Sequence, residues 1–382
     1  MKTCLRIPRF LTPREDSETW GVIACDQYAA DRSYWKRVAK EVGDTPSSLH
    51  MILPRVYWGE DDESAIEEIH ENMYTALEQG WLQKEDRGLM LVERTTDNGV
   101  RYGILVCVDL EECSFSEGES SMVRAIKRGN PSEAASYLAV RRGAVLEFSH
   151  AVICYRDKKD KLVRSLVDEE LEEISDCKLM QGGGRLKNYF IPDYIAEDVV
   201  QELQKAASPS FAIAEGETYL LAAKQYWDEI KGGLSDRGRR NHPARFAMAE
   251  AVNLYSEGVT IAPVHRAAEE VDTEAFCSFF AEHIPCKREG NRLTPYGMGG
   301  AECIRKTDEL ISAYLAKNEG RVAYTQSEEE IEDGVLIVMP AIGKEEIAQY
   351  LKKGKLLPSC AFSLGARDEK RFYWEGREIS YD

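Results

Sequence analysis

The sequence predicts an α/β (α+β) fold, a mixed sheet with hairpins and flanking helices. Three observations point there. Short apolar runs alternate with segments whose apolar residues recur every three or four positions, the pattern of strands and amphipathic helices in turn. Two apolar runs, "GLMLVERT" and "VRYGILVCVDL", flank Asn98-Gly99, and both of those residues tolerate positive φ, which predicts a hairpin. No repeat or low-complexity tract occurs, and strands and helices alternate along the chain with hairpins among them.

Along the chain, "WGVIACD" (20–26) predicts a strand, and a helix follows through Tyr34, Trp35, Val38 and Val42. "SLHMILP" (48–54) predicts a second strand. Residues 62–79 predict a helix with Ile66, Ile69, Met73 and Leu77 on one face. After the hairpin the pattern dissolves over 116–143, with a helix-like patch near 131–139. "AVLEFSHAVICYRD" predicts strand and "LVDEELEEIS" helix. A helix over 193–206 leads to the strand Phe211–Glu215 and a further helix ending at Gly232-Gly233. Then come a helix near 243–254, the strand "VTIAPV" and a helix over 272–282. A helix at 301–317, strands at 321–324 and 334–339, a helix at 344–353 and a last strand, "FYWEGREI", complete the chain.

The chain has 382 residues, 43% hydrophobic and 30% charged, as in soluble globular proteins. Lys+Arg 49 against Asp+Glu 67 gives −18, which disfavours nucleic acid or an anionic membrane as the main partner. The ten cysteines form no Cys-x-x-Cys pair, so neither a zinc knuckle nor a redox dithiol is signalled. "MKTCLRIPRFLTPRED" lacks the apolar centre of a secretory signal, and no apolar run approaches the roughly 20 residues of a membrane span. The expectation is a cytoplasmic protein with no metal site. The acidic stretch near 266–274 is the best seam, dividing an elaborated domain over 1–270 from an extension over 271–382.

Four places carry candidate chemistry. Gln181-Gly182-Gly183-Gly184-Arg185 lacks Cβ atoms at three successive positions, so its amides can turn toward an anion, with Arg185 and Lys187 adding charge. It fits no Walker or dinucleotide fingerprint. Glu215-Gly216-Glu217-Thr218 joins a strand to a helix, where side chains and helix-start amides converge. Asn241-His242-Pro243-Ala244-Arg245 opens a helix, which is equally explained by Pro243 at a first turn. His265-Arg266 follows a strand. Cys25-Asp26 and His150 also stand at strand ends, where a buried thiol and a core imidazole are the plainer readings.

Strings spread over nearly the whole chain resemble one family. "VIACDQYAADRSYW", "GDTPSSLHMILP", "LVERT", "LMQGGGRLKNY", "NHPARFAMAEAVNL", "PVHRA" and "LPSCAFSLGARDEKRFYWEGREI" are similar, in order and spacing, to the domain-of-unknown-function family 1015. The resemblance implies a ParB/sulfiredoxin-like core elaborated by N- and C-terminal additions. It also implies kinship with nucleotide-dependent free serine kinases, hence phosphoryl transfer between ATP or ADP, with Mg, and a small hydroxylated metabolite such as serine or phosphoserine. On that footing Glu215 and Glu217 are the catalytic candidates. Gln181, Gly182, Gly183, Gly184, Arg185, Lys187, Gly216, Thr218, His242, Arg245, His265 and Arg266 are the ligand or phosphate candidates.

The chain departs from the family at the junction. The family's Gly-Asp-Gly-Asn-His-Ser reads Ala214-Glu215-Gly216-Glu217-Thr218-Tyr219 here. The histidine that ends the glycine run is Arg185, an expected acid is Lys127, and the Arg-Ile-Pro-Pro-Arg string has no counterpart. Three readings stay open: a phosphotransferase with altered residues, a non-catalytic paralogue that binds a ligand or a partner, and a different enzyme on the same scaffold; a homo-oligomer or a protein partner is compatible with each. The glycine run, the Glu215 turn and the His242/Arg245 helix start are expected to line one cleft.

Overall fold

The computed structural model describes residues 3–379 apart from 16–17, 24–27, 29–30, 60–61, 97–98, 149–150, 330, 332, 366–371 and 374–375. Cys25, Asp26, Asn98 and His150, singled out above, lie outside the described residues. The chain divides into two compact units, one of residues 1–125, 129–259 and 367–382 and one of 126–128 and 260–366. The division falls at 259/260, before the seam read after 270. The C-terminal segment returns to the first unit, where Gly376–Glu378 pairs with Phe10–Pro13 and with Leu146–Glu147.

The first unit is organised by a ten-stranded mixed sheet. In chain order its strands are β1 (Leu5–Arg6), β2 (Gly88–Thr96), β3 (Gly99–Asp109), β4 (Cys113–Ser114), β5 (Val123–Ala125), β6 (Ala151–Tyr155), β7 (Glu172–Lys178), β8 (Arg185–Pro192), β9 (Phe211–Glu215) and β10 (Phe246–Asn253). Their order across the sheet is β7-β8-β2-β3-β10-β6-β9-β5-β4, with β1 also on β3. The β2–β3 hairpin pairs Thr96 with Gly99. The pairs β10/β6, β9/β5 and β5/β4 are parallel, and the other neighbours are antiparallel.

The helices of this unit are α1 (Arg32–Val42), α2 (Asp62–Glu78), α3 (Pro131–Gly143), α4 (Lys161–Val167), α5 (Asp193–Ala206), α6 (Glu217–Ile230) and α7 (Asp236–Asn241). Asp31 caps α1 by accepting from the Tyr34 amide, and the helix buries Tyr34, Trp35, Val38 and Val42 as its periodicity predicts. These side chains join Trp20, Met90, Leu105 and Met248 in one core. Burying each large apolar side chain stabilises the fold by roughly 1.5–3 kcal/mol.

Three expected elements differ. Residues 243–254 form no helix: Pro243–Arg245 is a single 3-10 turn, and Phe246–Asn253 is a central strand buried at every position. Its alanine-rich sequence favours helix alone, but burial between β3 and β6 overrides that preference. "LVDEELEEIS" ends a helix at Val167 and enters β7, where Glu173 and Asp176 meet Lys187 and Arg185 across the β7–β8 pair. "SLHMILP" is a 3-10 turn over Ser48–Met51, because the Ser47 and Ser48 hydroxyls donate to the Thr19 and Trp20 carbonyls.

The second unit is a five-stranded sheet with three helices. Its strands are β11 (His265–Glu269), β12 (Cys286–Glu289), β13 (Arg292–Pro295), β14 (Arg321–Thr325) and β15 (Gly334–Ile337), ordered β12-β13-β15-β11-β14. Its helices are α8 (Thr273–His283), α9 (Gly300–Leu315) and α10 (Lys344–Lys353). Among the described residues no helix is long and apolar enough to cross a membrane.

Candidate functional site

At the junction of β9 and α6, Glu215 ends its strand 3% exposed and Gly216 turns the chain at φ 76°, ψ 23°. Only glycine fits there: a Cβ would lie 2.9 Å from both Cα and Cβ of Ala151. Glu217 stands in the first turn of α6, where the helix dipole favours a carboxylate. The Thr218 hydroxyl accepts from the backbone amide of Asn130 at 3.1 Å. Asn130 in turn caps α3 through the Ser132 amide. The starts of α3 and α6 are thus tied together through Thr218.

Tyr219 extends this contact into the interior. Its hydroxyl donates to Glu147 and accepts from Arg141 Nη1 at 2.9 Å. Arg141 Nη1 also donates to Glu147 Oε1 at 2.9 Å, and Arg377 Nε donates to Glu147 Oε2 at 2.7 Å. Burial opposes charge on Glu147, but the two guanidiniums hold its carboxyl below the usual range. Sequence reasoning missed this cluster.

A second buried set was also missed, although Arg94 and Glu250 stand within strings that carry the resemblance. Glu250 of β10 receives Arg101 Nη2 at 3.2 and 3.1 Å, and Arg101 is paired in register with Arg94. All three are buried. The set sits in the sheet beside the junction, since Val152 pairs with Glu250 on one side and with Glu215 on the other.

The structure does not bring the expected cleft together. The register row through Glu215 runs Val152, Glu250, Leu105, Met90 and Phe190. It crosses five strand spacings to reach β8, about 24 Å along the sheet, and meets β8 about 17 Å from Arg185. The glycine run therefore lies at the far side and opposite end from Glu215. It is a structural turn. Gln181 takes φ 55°, its side chain meets Arg37 and Glu41, and a Cβ on Gly183 would lie 2.0 Å from Ile23. Gly182 and Gly184 both adopt positive φ. Arg185 is bound to Asp176 through two nitrogens at 2.5 Å, which raises its pKa, and Lys187 meets Glu173 and Asp176 at 2.9 and 3.3 Å. With both cations matched by carboxylates, the run does not fit a nucleotide phosphate.

His242 and Arg245 occupy a third place, beside the far end of α6. The His242 and Trp227 rings are 5.9 Å apart, and Trp227 is about 15 Å along the helix from Glu217. His242 Nδ1 accepts from the Ala244 amide at 3.2 Å, and burial lowers the imidazole pKa. Arg245 forks onto Asp109 at 2.8 and 2.6 Å. Arg245, Arg239 and Lys231 line a cavity of about 380 Å³ with Glu111 and Glu112. Lys231 is already held by Glu111 and Asp228, and Arg245 by Asp109, so two of the three cations lining this cavity are matched by carboxylates.

In the second unit, His265 Nδ1 accepts from the Met339 amide at 3.0 Å, and Arg266 forks onto Asp308 at 2.8 and 3.0 Å while donating to the Val264 carbonyl. Both are buried and structural in their bonding. Lys127 belongs to the same unit and donates to the Phe362 carbonyl at 3.2 Å. Among the described residues no group of three or more His, Cys, Asp or Glu side chains is placed to hold a metal.

Solved structures similar to this chain include a free serine kinase in complex with ADP, at 9% identity, TM-score 0.38, covering 72% of this chain and 92% of that one. C-terminally truncated SbnI from Staphylococcus aureus matches at 8% identity, TM-score 0.37, over 69% and 84%. A conserved hypothetical protein from Pyrococcus furiosus matches at 11% identity, TM-score 0.35, over 68% and 90%. No curated protein matches the chain. The family model described as "Protein of unknown function (DUF1015)" matches residues 8–347, nearly the whole length, and the chain belongs to that family.

Proposed function

We propose that this protein is a ligand-binding member of its family in which phosphoryl transfer is impaired. The observation that carries the reading is the bonding at the junction. Thr218 ties α6 to Asn130 of α3, and Tyr219 is locked to Glu147 and Arg141. Phosphoryl transfer depends on positioned cations or metal around the phosphates and a group that orients the nucleophile. Here the Thr218 hydroxyl is taken up by the Asn130 amide and the Tyr219 hydroxyl by Glu147 and Arg141. The basic residues read as phosphate contacts, Arg185, Lys187 and Arg245, are each matched by a carboxylate.

The second reading, an active phosphotransferase using ATP or ADP and serine, keeps one observation in its favour. The strand-to-helix turn is intact, with buried Glu215 ending β9 and Gly216 in the one conformation that lets the chain pass Ala151. Incubation with radiolabelled ATP or ADP, Mg and serine decides between them. No phosphoserine above a heat-treated control supports impairment. Turnover of roughly 1 s⁻¹ or faster, an ordinary enzyme rate, overturns it.

A further inference from the structure

The cluster behind Tyr219 has a charge imbalance. Arg141 and Arg377 are hydrogen-bonded to a single carboxylate, Glu147, and all three are at least nine-tenths buried. Their remaining partners are neutral: Arg141 Nη2 and Arg377 Nη2 donate to the Phe246 carbonyl at 3.0 and 2.7 Å. Arg141 Nε is buried and has no hydrogen-bond partner among the described residues. The nearby Cys107 thiol does not supply an anion, because burial pushes its pKa up to about 11. One positive charge is left over in a water-poor place, where an unmatched charge is costly.

That charge borders a cavity. Arg141 and Glu147 line it together with apolar side chains such as Leu53 and Met73 and the rings of Trp58, Tyr137 and Tyr219. The three rings stand edge to face, at 5.2 Å for Trp58–Tyr137 and 5.8 Å for Tyr137–Tyr219. Trp58 and Tyr137 are half-buried, while Tyr219 is buried. The volume is about 70 Å³, well below the roughly 150 Å³ of a cavity that accepts benzene.

We propose that this cavity binds a short aliphatic monocarboxylate, its chain against the aromatic and apolar wall and its carboxylate toward Arg141. One negative charge matches the one in surplus. A phosphate or dicarboxylate would set a second charge against the apolar wall. An amine would face the guanidinium, and a neutral molecule would leave the surplus unmatched. The volume limits the chain to a few carbons. The cavity shares Tyr219 with the junction but is not lined by Glu215, Glu217 or Thr218, so the proposal stands whether or not the protein transfers phosphate.

The test uses the whole protein with acetate, acetamide and methylamine at constant ionic strength. For a Kd of about 1 mM, acetate at about 10 mM raises Tm by roughly 2 °C, while the amide and amine leave it unchanged. Filling the cavity with Val140→Phe, or independently with Ser136→Phe, abolishes the shift in whichever variant keeps the parent far-UV circular dichroism. An equal shift with acetamide overturns the proposal. So does no shift with acetate, or an acetate shift that survives a folded, filled variant.

Discussion

Glu250 lies over Gly103 so closely that a Cβ on the glycine would be 2.1 Å from Glu250 Oε1 and 2.5 Å from its Cγ. The two residues are on adjacent strands, and the missing side chain is what lets a carboxylate sit in the sheet within reach of Arg101. Gly103→Ala therefore displaces the Glu250 carboxylate or shifts β3. Overpacking of this kind costs about 1–3 kcal/mol. Urea denaturation checks it: the midpoint falls with little change in slope. A midpoint equal to the parent's would show that Glu250 moves aside freely and that its pairing with Arg101 contributes little.

Glu147 makes a second stability prediction, with a pH signature. Its folded pKa lies below the ordinary carboxylate value, so its contribution is present above the unfolded pKa of about 4.3 and is lost as pH falls through the folded value. Glu147→Gln removes that dependence and leaves two buried guanidiniums without a counter-charge. The expected loss at pH 7 is roughly 3–5 kcal/mol. Melting curves from pH 7 to about 3 should show a lower Tm for the variant, with a shallower fall in acid. Parallel curves would place the acid sensitivity elsewhere.

How far the sequence could be read is clearest in two segments. In α1, Tyr34, Trp35, Val38 and Val42 recur at helical spacing and one face is buried, so pattern and structure agree. In β10, all eight positions are buried, which erases the alternation that marks a half-exposed strand, and the alanines then read as helix. The candidate site failed for a different reason. Family strings give positions along the chain, but the sheet order separates β8 from β9 by β2, β3, β10 and β6. Arg185 and Arg245 looked like anion contacts because their partners, Asp176 and Asp109, are non-local or cross-strand and carry no motif. The buried Arg141–Glu147–Arg377 cluster joins the stretch 141–147 to a residue 230 positions further on, and no motif marks it.

His265 provides a pH prediction for the second unit. Its Nδ1 accepts from the Met339 amide, so the neutral imidazole is required there, and burial lowers its pKa despite Glu328 at 3.8 Å. A histidine with a lowered folded pKa contributes stability that is full above about pH 6.5 and declines as pH falls below it. Amide exchange in β11 and β15 should accelerate between about pH 6.5 and 5, after correction for the intrinsic rate. His265→Gln should flatten that dependence. If the parent shows no such acceleration, protonation of His265 is not coupled to opening of this sheet.

The last prediction concerns restoring chemistry at the junction. Glu215→Asp and Thr218→His introduce, on the intact Gly216 turn, the residues that the family resemblance implies there, and Tyr219→Ser adds the third. Lys127 is best left alone, since it donates to the Phe362 carbonyl and lies 4.6 Å from the Phe362 ring centre. A carboxylate there would face a carbonyl oxygen and the negative face of a ring. Tyr219→Ser carries its own penalty, because it removes a bonded partner of buried Glu147 and Arg141. The double variant without it is therefore the cleaner start. Groups that act as one catalytic unit are strongly non-additive, so each single reversion should look inert. The double variant is expected to melt within a few degrees of the parent and to form phosphoserine from ATP or ADP at a rate the parent does not reach. Thr218→His also releases the Asn130 amide, so loss of the α3 cap in the variant would appear as faster exchange at Ser132. If the double variant folds, keeps that cap and stays inactive, the missing chemistry lies beyond Glu215 and Thr218, and the buried Arg94, Arg101 and Glu250 become the next positions to vary.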